Sequence, residues 1–212
     1  TREEVVTDYG GSFSARVPVG LYTAEISKEG YTTSYMNVST SEYNYTNLYI
    51  TPILNDTDYR IILTWGEYPA DLDSHFVGTY SGNKFEVFYA TRDLAGYTAD
   101  EYDAVNLDVD DTSSYGPETI TVRYDSSFGD CHYFVQDYTN NGTLESKALS
   151  NSQAKVIVYK GNDLLGVYTV PTDMGGVYWN VFSIVNGEII VENTLSYDKP
   201  YDIWAANDDY YY

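Results

Sequence analysis

The sequence predicts an all-β protein, and three observations carry that expectation. Tyrosine occurs 25 times in 212 residues, and aromatic and β-branched side chains favour strands because they fill a pleated, half-buried surface. Apolar residues recur at alternate positions in short runs bounded by Gly, Pro, Asn and Asp, the period of a strand between turns. No stretch of ten or more residues holds the 3.6-residue period of a helix. With 43% hydrophobic residues, the chain can close a packed core without staples, as one large β domain or two small ones.

Residues 1–54 read as a first, small unit. Asp8-Tyr9-Gly10-Gly11 is a turn signal, and Ser12–Val17 follows with Phe13, Ala15 and Val17 on one face. Pro18-Val19-Gly20 turns the chain into Leu21–Ser27, where Tyr22, Ala24 and Ile26 alternate inward. A third strand is expected over Thr33–Val38, and a fourth ending in Leu48 and Ile50. The run GSFSARVPVGLYTAEISKEGYTTSYMNVS resembles the carboxypeptidase regulatory-like domain, a transthyretin-type sandwich, over residues 7–50. That resemblance implies one or two strands ahead of this point, whose absence leaves an exposed edge to be covered. Modules of this class, including the Cna protein B-type, sometimes carry a Lys–Asn crosslink. Lys28 is the unit's lysine and sits at a predicted turn, which argues against one here.

Thr51 to Asp58 is a polar, turn-rich linker, and 55–197 read as a second unit. Ile61, Leu63 and Trp65 alternate in its first strand. Further runs are expected at Leu72–Val77, Phe85–Tyr89, Val105–Asp110, Glu118–Tyr124, Cys131–Tyr138, Ala154–Tyr159, Leu164–Val170 and Val177–Ile184, with Glu188–Val191 after the Asn186-Gly187 turn. Regular spacing of this kind predicts a β-sandwich, jelly-roll or immunoglobulin-like. Residues 198–212 lack a period and read as a tail or linker that Trp204 docks. The chain begins mid-pattern at Thr1, which predicts flanking modules of a longer protein.

Two acidic clusters lie inside alternating strands. Strand alternation places Asp71, Asp73 and His75 on one face, opposite Leu72, Ser74 and Phe76. It likewise places Asn106, Asp108 and Asp110 opposite Val105, Leu107 and Val109. Asp111 follows, and a loop runs to Glu118. If the strands are neighbours, Asp71, Asp73, Asp108, Asp110, Asp111 and Glu118 converge. Like charges at that density raise one another's pKa, with only Arg60, Arg92 and Arg123 nearby in sequence. A hard divalent cation resolves the conflict, and Ca²⁺ suits six to eight oxygen ligands. An EF-hand does not fit, since counting from Asp108 puts Ser113 at the glycine position and Thr119 at the final glutamate. The competing reading is that these aspartates only cap backbone N–H groups in turns.

Other chemistries have weaker footing. A zinc site needs His75, His132 and Cys131 to meet. No Gly-x-Ser-x-Gly elbow and no phosphate-binding loop occurs. Tyr97, Tyr102 and Tyr115 flank the acidic loops and Tyr178, Trp179 and Phe182 form an aromatic run, so stacking against sugar rings is the second reading. A carboxylate pair working as acid and base in a hydrolase is the third.

The net charge of −21 and pI near 4.1 argue against nucleic acid and anionic membranes as partners. Cys131 is a single cysteine, so no internal disulfide forms, and no run reaches the ~20 apolar residues of a membrane span. The sequons at Asn37, Asn44, Asn55 and Asn141 fall in polar turns.

The segments LTWGEYPADLDSHFVG, FEVFYA, VNLDVDDTSSYGPETITV and YFVQDYTN, closing with VYTVPTDMGGVYWNVFSIVNGEI, are similar to a bacterial YfaP-like domain of unknown function, over about 58–195. The resemblance implies a β-sandwich and a secreted or cell-surface setting, and brings no catalytic activity with it. The expectation is therefore a non-enzymatic extracellular module in adhesion or scaffolding, with a calcium site and a protein or glycan ligand.

Overall fold

The alternating runs form strands because each can bury one face while its backbone pairs sideways. A computed structural model describes residues 3–40, 50–95 and 103–201. It divides into two compact units, Thr1–Ile53 and Leu54–Tyr212.

In the first unit, β1 (Gly20–Ile26) pairs antiparallel with β3 (Ser34–Thr40), and β2 (Tyr31–Thr32) with β4 (Thr51–Pro52). Tyr22, Ala24 and Ile26 take the shielded side of β1 and Leu21, Thr23 and Glu25 the exposed side. The strand expected at Ser12–Val17 is absent, and Phe13 is exposed. Asp8 accounts for part of this: its Oδ1 accepts from the N–H groups of Gly10 (2.9 Å) and Ser12 (2.8 Å). Donors that a ladder would use are thus satisfied within a turn. Leu48 and Asn44 lie outside the described residues.

The second unit is an all-β sandwich. Its strands are β5 (Tyr59–Thr64), β6 (Leu72–Tyr80), β7 (Asn83–Val87), β8 (Asp93–Leu94), β9 (Val105–Val109), β10 (Glu118–Val122), β11 (Phe128–Asp137), β12 (Lys155–Lys160), β13 (Asp163–Thr169), β14 (Tyr178–Val185) and β15 (Glu188–Ser196). They form a six-stranded sheet, β13-β12-β5-β10-β9-β8, and a five-stranded sheet, β15-β14-β11-β6-β7, with antiparallel pairing throughout. The sheets bury Ile61, Leu63, Ile120, Val156 and Val158 from one side against Leu72, Phe76, Tyr133, Trp179 and Phe182 from the other. Each such side chain contributes roughly 1.5–3 kcal/mol by leaving water. A one-turn helix, α1 (Ala148–Asn151), buries Leu149; four residues are too few to display a helical period.

Of the register shifts in the sandwich, those in β14 and β9 bear most on the core and the acidic cluster. In β14 the register shifts between Asn180 and Phe182, so Trp179, Val181, Phe182 and Ile184 all join the core. In β9 it shifts opposite Thr119 and Ile120: Leu107 pairs with Ile120 and Val109 with Thr119, leaving Asp108 as the extra residue. A bulge reverses side-chain parity beyond it, and the consequence falls on the acidic cluster. Residues 198–201 are held on this unit through Lys199 and Tyr201, whereas 202–212, including Trp204, lie outside the described residues.

Candidate metal centre

The centre lies where β10 and β6 pack against each other across the sandwich. β7 ends at Val87, opposite Phe76, so the first half of β6 has no partner on that side. Glu118, the first residue of β10, fills the gap: its Oε2 accepts from the Ser74 N–H at 2.6 Å. The Ser74 hydroxyl is in turn within 2.8 Å of the buried Tyr133 hydroxyl. Glu118 therefore serves as a surrogate strand edge while its other oxygen, Oε1, is buried without a donor.

The loop that delivers Glu118 is fixed backbone to backbone. Ser114 N–H donates to Ala70 O (2.7 Å), Tyr115 N–H to Gly66 O (3.1 Å) and Trp65 N–H to Tyr115 O (3.2 Å). Gly116 has φ +76°, and a Cβ there would lie 2.8 Å from the Trp65 ring and 3.0 Å from Leu63 O. The position needs glycine for both conformation and space.

Asp73, Asp110 and Glu118 each bring a carboxylate oxygen within 4.8 Å of the others. A single cation holding oxygens at ~2.3–2.6 Å spans at most ~4.6–5.2 Å between them, so these three fit one calcium-sized ion. Asp73 is 3% exposed and Glu118 1%. Asp73 Oδ2, Asp110 Oδ1, Glu118 Oε1 and the neighbouring Asp71 Oδ1 are all buried and accept no hydrogen bond among the described residues. Arg92 approaches Asp110 only through its other oxygen, Oδ2, at 3.7 Å.

The electrostatics follow from that geometry. Burial first, then the Asp71 and Asp110 carboxylates, push the Asp73 pKa up to about 7. Burial pushes Glu118 up to about 9; the Ser74 hydrogen bonds oppose this, and Asp73 and Asp110 reinforce it. Burial, then Asp110, Asp111 and Asp137, raise Asp71. Held without a counter-ion, these acids retain protons that ordinary carboxylates release.

Of the six residues the sequence nominated, Asp73, Asp110 and Glu118 meet, and Asp71 stands beside them. Asp108 and Asp111 do not join. Asp108 accepts from Arg60 Nη1 (2.9 Å) and the Thr121 hydroxyl (2.6 Å), on the face opposite the buried Leu107 that alternation gives it, at the β9 bulge. The same bulge exposes Val109, at 42%, and brings Asp110 inward. The expected face shared by Asn106, Asp108 and Asp110 is thereby corrected. Asp111 Oδ1 accepts from the N–H (2.7 Å) and hydroxyl (2.8 Å) of Ser113, the turn-capping role that competed with ion binding.

Further functional-looking groups escaped the sequence. Asp137 is fully buried and its carboxylate is clamped by Asn140 through backbone and side chain, at 2.9–3.0 Å. His75 faces away from the centre, stacked on Phe134 and Phe88 (centroids 4.6 and 5.2 Å), with Nδ1 2.7 Å from Glu86 Oε1. Lys199 Nζ reaches the same oxygen at 2.7 Å. Burial lowers the His75 pKa despite Glu86. The alternation of Glu86 between Phe85 and Val87 was the available signal; the distance to Lys199 in sequence hid the rest. His132 Nδ1 lies 2.7 Å from the Ser183 hydroxyl, under Tyr201. Cys131 points into the core, its thiol pKa pushed up to about 12 by burial. His75, His132 and Cys131 thus have separate surroundings. Tyr97 and Tyr102 lie outside the described residues.

No protein-family model and no curated protein matches this chain. Among solved structures it is similar to a crystal structure of SAV2460, a protein of unknown function. The alignment has 16% identity and a TM-score of 0.47, covering 68% of this chain and 91% of that one. Among the described residues, no helix is long and apolar enough to cross a membrane.

Proposed function

We propose that the chain is a non-catalytic module of a secreted or cell-surface protein, in adhesion or scaffolding, whose second unit is locked by a divalent cation. Asp73, Asp110 and Glu118 bind the ion, with Asp71 at its outer side, and calcium is the ion their oxygen-only donor set favours. One observation carries the reading: buried carboxylate oxygens on both sheets, within 4.8 Å of one another, with no hydrogen-bond donor. Buried charges are otherwise paired or neutralised. Bound there, the cation supplies the positive charge that the cluster lacks and ties β6 to β10 across the sandwich.

Hydrolysis with these carboxylates as acid and base would require substrate to reach both. Glu118 is 1% exposed and already bonded to the Ser74 N–H, which favours the structural role. The extracellular setting rests on the acidic composition and on the YfaP-like and regulatory-like resemblances. The test is a melt of the intact chain in calcium and in chelator at pH 8. We expect a Tm several degrees higher in calcium, and equal values would refute the ion lock.

A further inference from the structure

Two features of the centre point outward. The three carboxylate oxygens within 4.8 Å of one another, on Asp73, Asp110 and Glu118, supply fewer ligands than the six to eight that calcium takes, leaving about three to five positions for Asp71 and other oxygens. The side chains that close the inner side, Glu118 and Asp73, are buried, whereas Asp71 and Asp110 are only partly so. The donor oxygens themselves are buried, so further oxygens would reach the ion past the partly exposed Asp71 and Asp110.

Beside that open side stand two exposed tyrosines. Tyr89 and Tyr138 are each 41% exposed and pack edge to face at 5.4 Å. Tyr138 is fixed to the rim, because the next residue, Thr139, brackets Asp71: its hydroxyl accepts from the Asp71 N–H at 2.9 Å, and its N–H donates to Asp71 O at 3.4 Å. Tyr89 is held to the same rim by its ring contact with Tyr138 and packs edge to face on Phe88 at 4.9 Å. An edge-to-face pair leaves ring surface free for a ligand. The chain's charge of −21 repels an anionic ligand, and the flat ring faces suit the C–H face of a neutral sugar.

We propose that this module binds neutral saccharides through the ion: adjacent sugar hydroxyls complete its outward coordination while the sugar's C–H face stacks on Tyr89 or Tyr138. The inference rests on the cation reading above. It takes the ligand class from two separate chemistries, oxygen-rich coordination and aromatic stacking, that sit side by side. Binding then requires calcium, and the tyrosines contribute to saccharide affinity without contributing to ion affinity.

The test uses the intact chain on an array of neutral oligosaccharides, with calcium or with chelator, beside a calorimetric titration with calcium alone. The Tyr89→Ala/Tyr138→Ala double variant is carried through both measurements. We expect retention of at least one class of neutral glycan in calcium, lost in chelator. The double variant is expected to weaken retention at least tenfold while its calcium titration and Tm match those of the parent. Calcium binding with no glycan retained overturns the saccharide inference alone, as does retention unchanged in the double variant or in chelator. An absent calcium titration overturns the cation reading and this inference together.

Discussion

Glu118 and Asp73 show how a single side chain can couple fold, proton and ion. Both are acids whose folded-state pKa lies above the ordinary value: about 7 against 3.8 for Asp73, and about 9 against 4.5 for Glu118. The fold therefore binds their protons more tightly than the unfolded chain does. Without the ion, the stability this adds is complete below the ordinary values and is lost as the pH rises through the folded ones. In chelator, Tm should fall between pH 5 and pH 9. Calcium needs the ionised carboxylates, so the gap between calcium and chelator melts should widen over the same interval. The Glu118→Gln variant keeps a carbonyl acceptor for the Ser74 N–H but has no proton to lose. Its chelator melts should lie above the parent's at pH 8, by on the order of 2 kcal/mol, with a flatter pH dependence. Calcium should no longer raise its Tm. Glu86 makes a contrasting case: burial opposes its ionisation, yet the hydrogen bonds from His75 and Lys199 leave its pKa lowered. Replacing it by Ala strands both partners on the outer face of the sheet. Denaturant unfolding should register a loss of about 2–4 kcal/mol, with calcium binding intact.

At the level of elements, the β9–β10 connection does the positioning. Asp108 stays on the outer face with Arg60 and Thr121, and the β9 bulge that follows turns Val109 outward and Asp110 toward Asp73. The Gly116 turn then sets Glu118 against the edge of β6. Gly116→Ala forces a Cβ onto Trp65 and disfavours the positive φ, so it should cost about 1–3 kcal/mol. It should also weaken calcium binding, which a titration of the folded variant would reveal. These elements also explain what the sequence could disclose. Alternation located β6, β9, β10, β11 and β14, and the density of carboxylates around them nominated Asp71, Asp73, Asp108, Asp110, Asp111 and Glu118, of which Asp73, Asp110 and Glu118 meet. Alternation misassigned the faces of Val109 and Asp110, because strict period-two reasoning has no sign of a bulge until the partner strand is known. It also assigned a strand at Ser12–Val17, where the apolar alternation is present but Asp8 holds the entering backbone in a turn. The network of Glu86, His75 and Lys199 was hidden for a different reason: its members are brought together only by tertiary packing.

On the scale of the whole molecule, the second unit is a sandwich with an apolar cluster between its sheets and with Asp73, Asp110 and Glu118 gathered at one end. Hydrophobic burial specifies the two sheets, and the acidic end couples them through groups that oppose closure unless protonated or bound to a cation. The central claim is that Asp73, Asp110 and Glu118 form one cation site. Calorimetric titration of the intact chain with calcium at pH 8, alongside the Asp73→Asn and Glu118→Gln variants, tests it most directly. Saturable binding at a single site is expected in the parent, and its loss in both variants. No saturable heat together with identical melts in calcium and chelator, or undiminished binding in both variants, would contradict it.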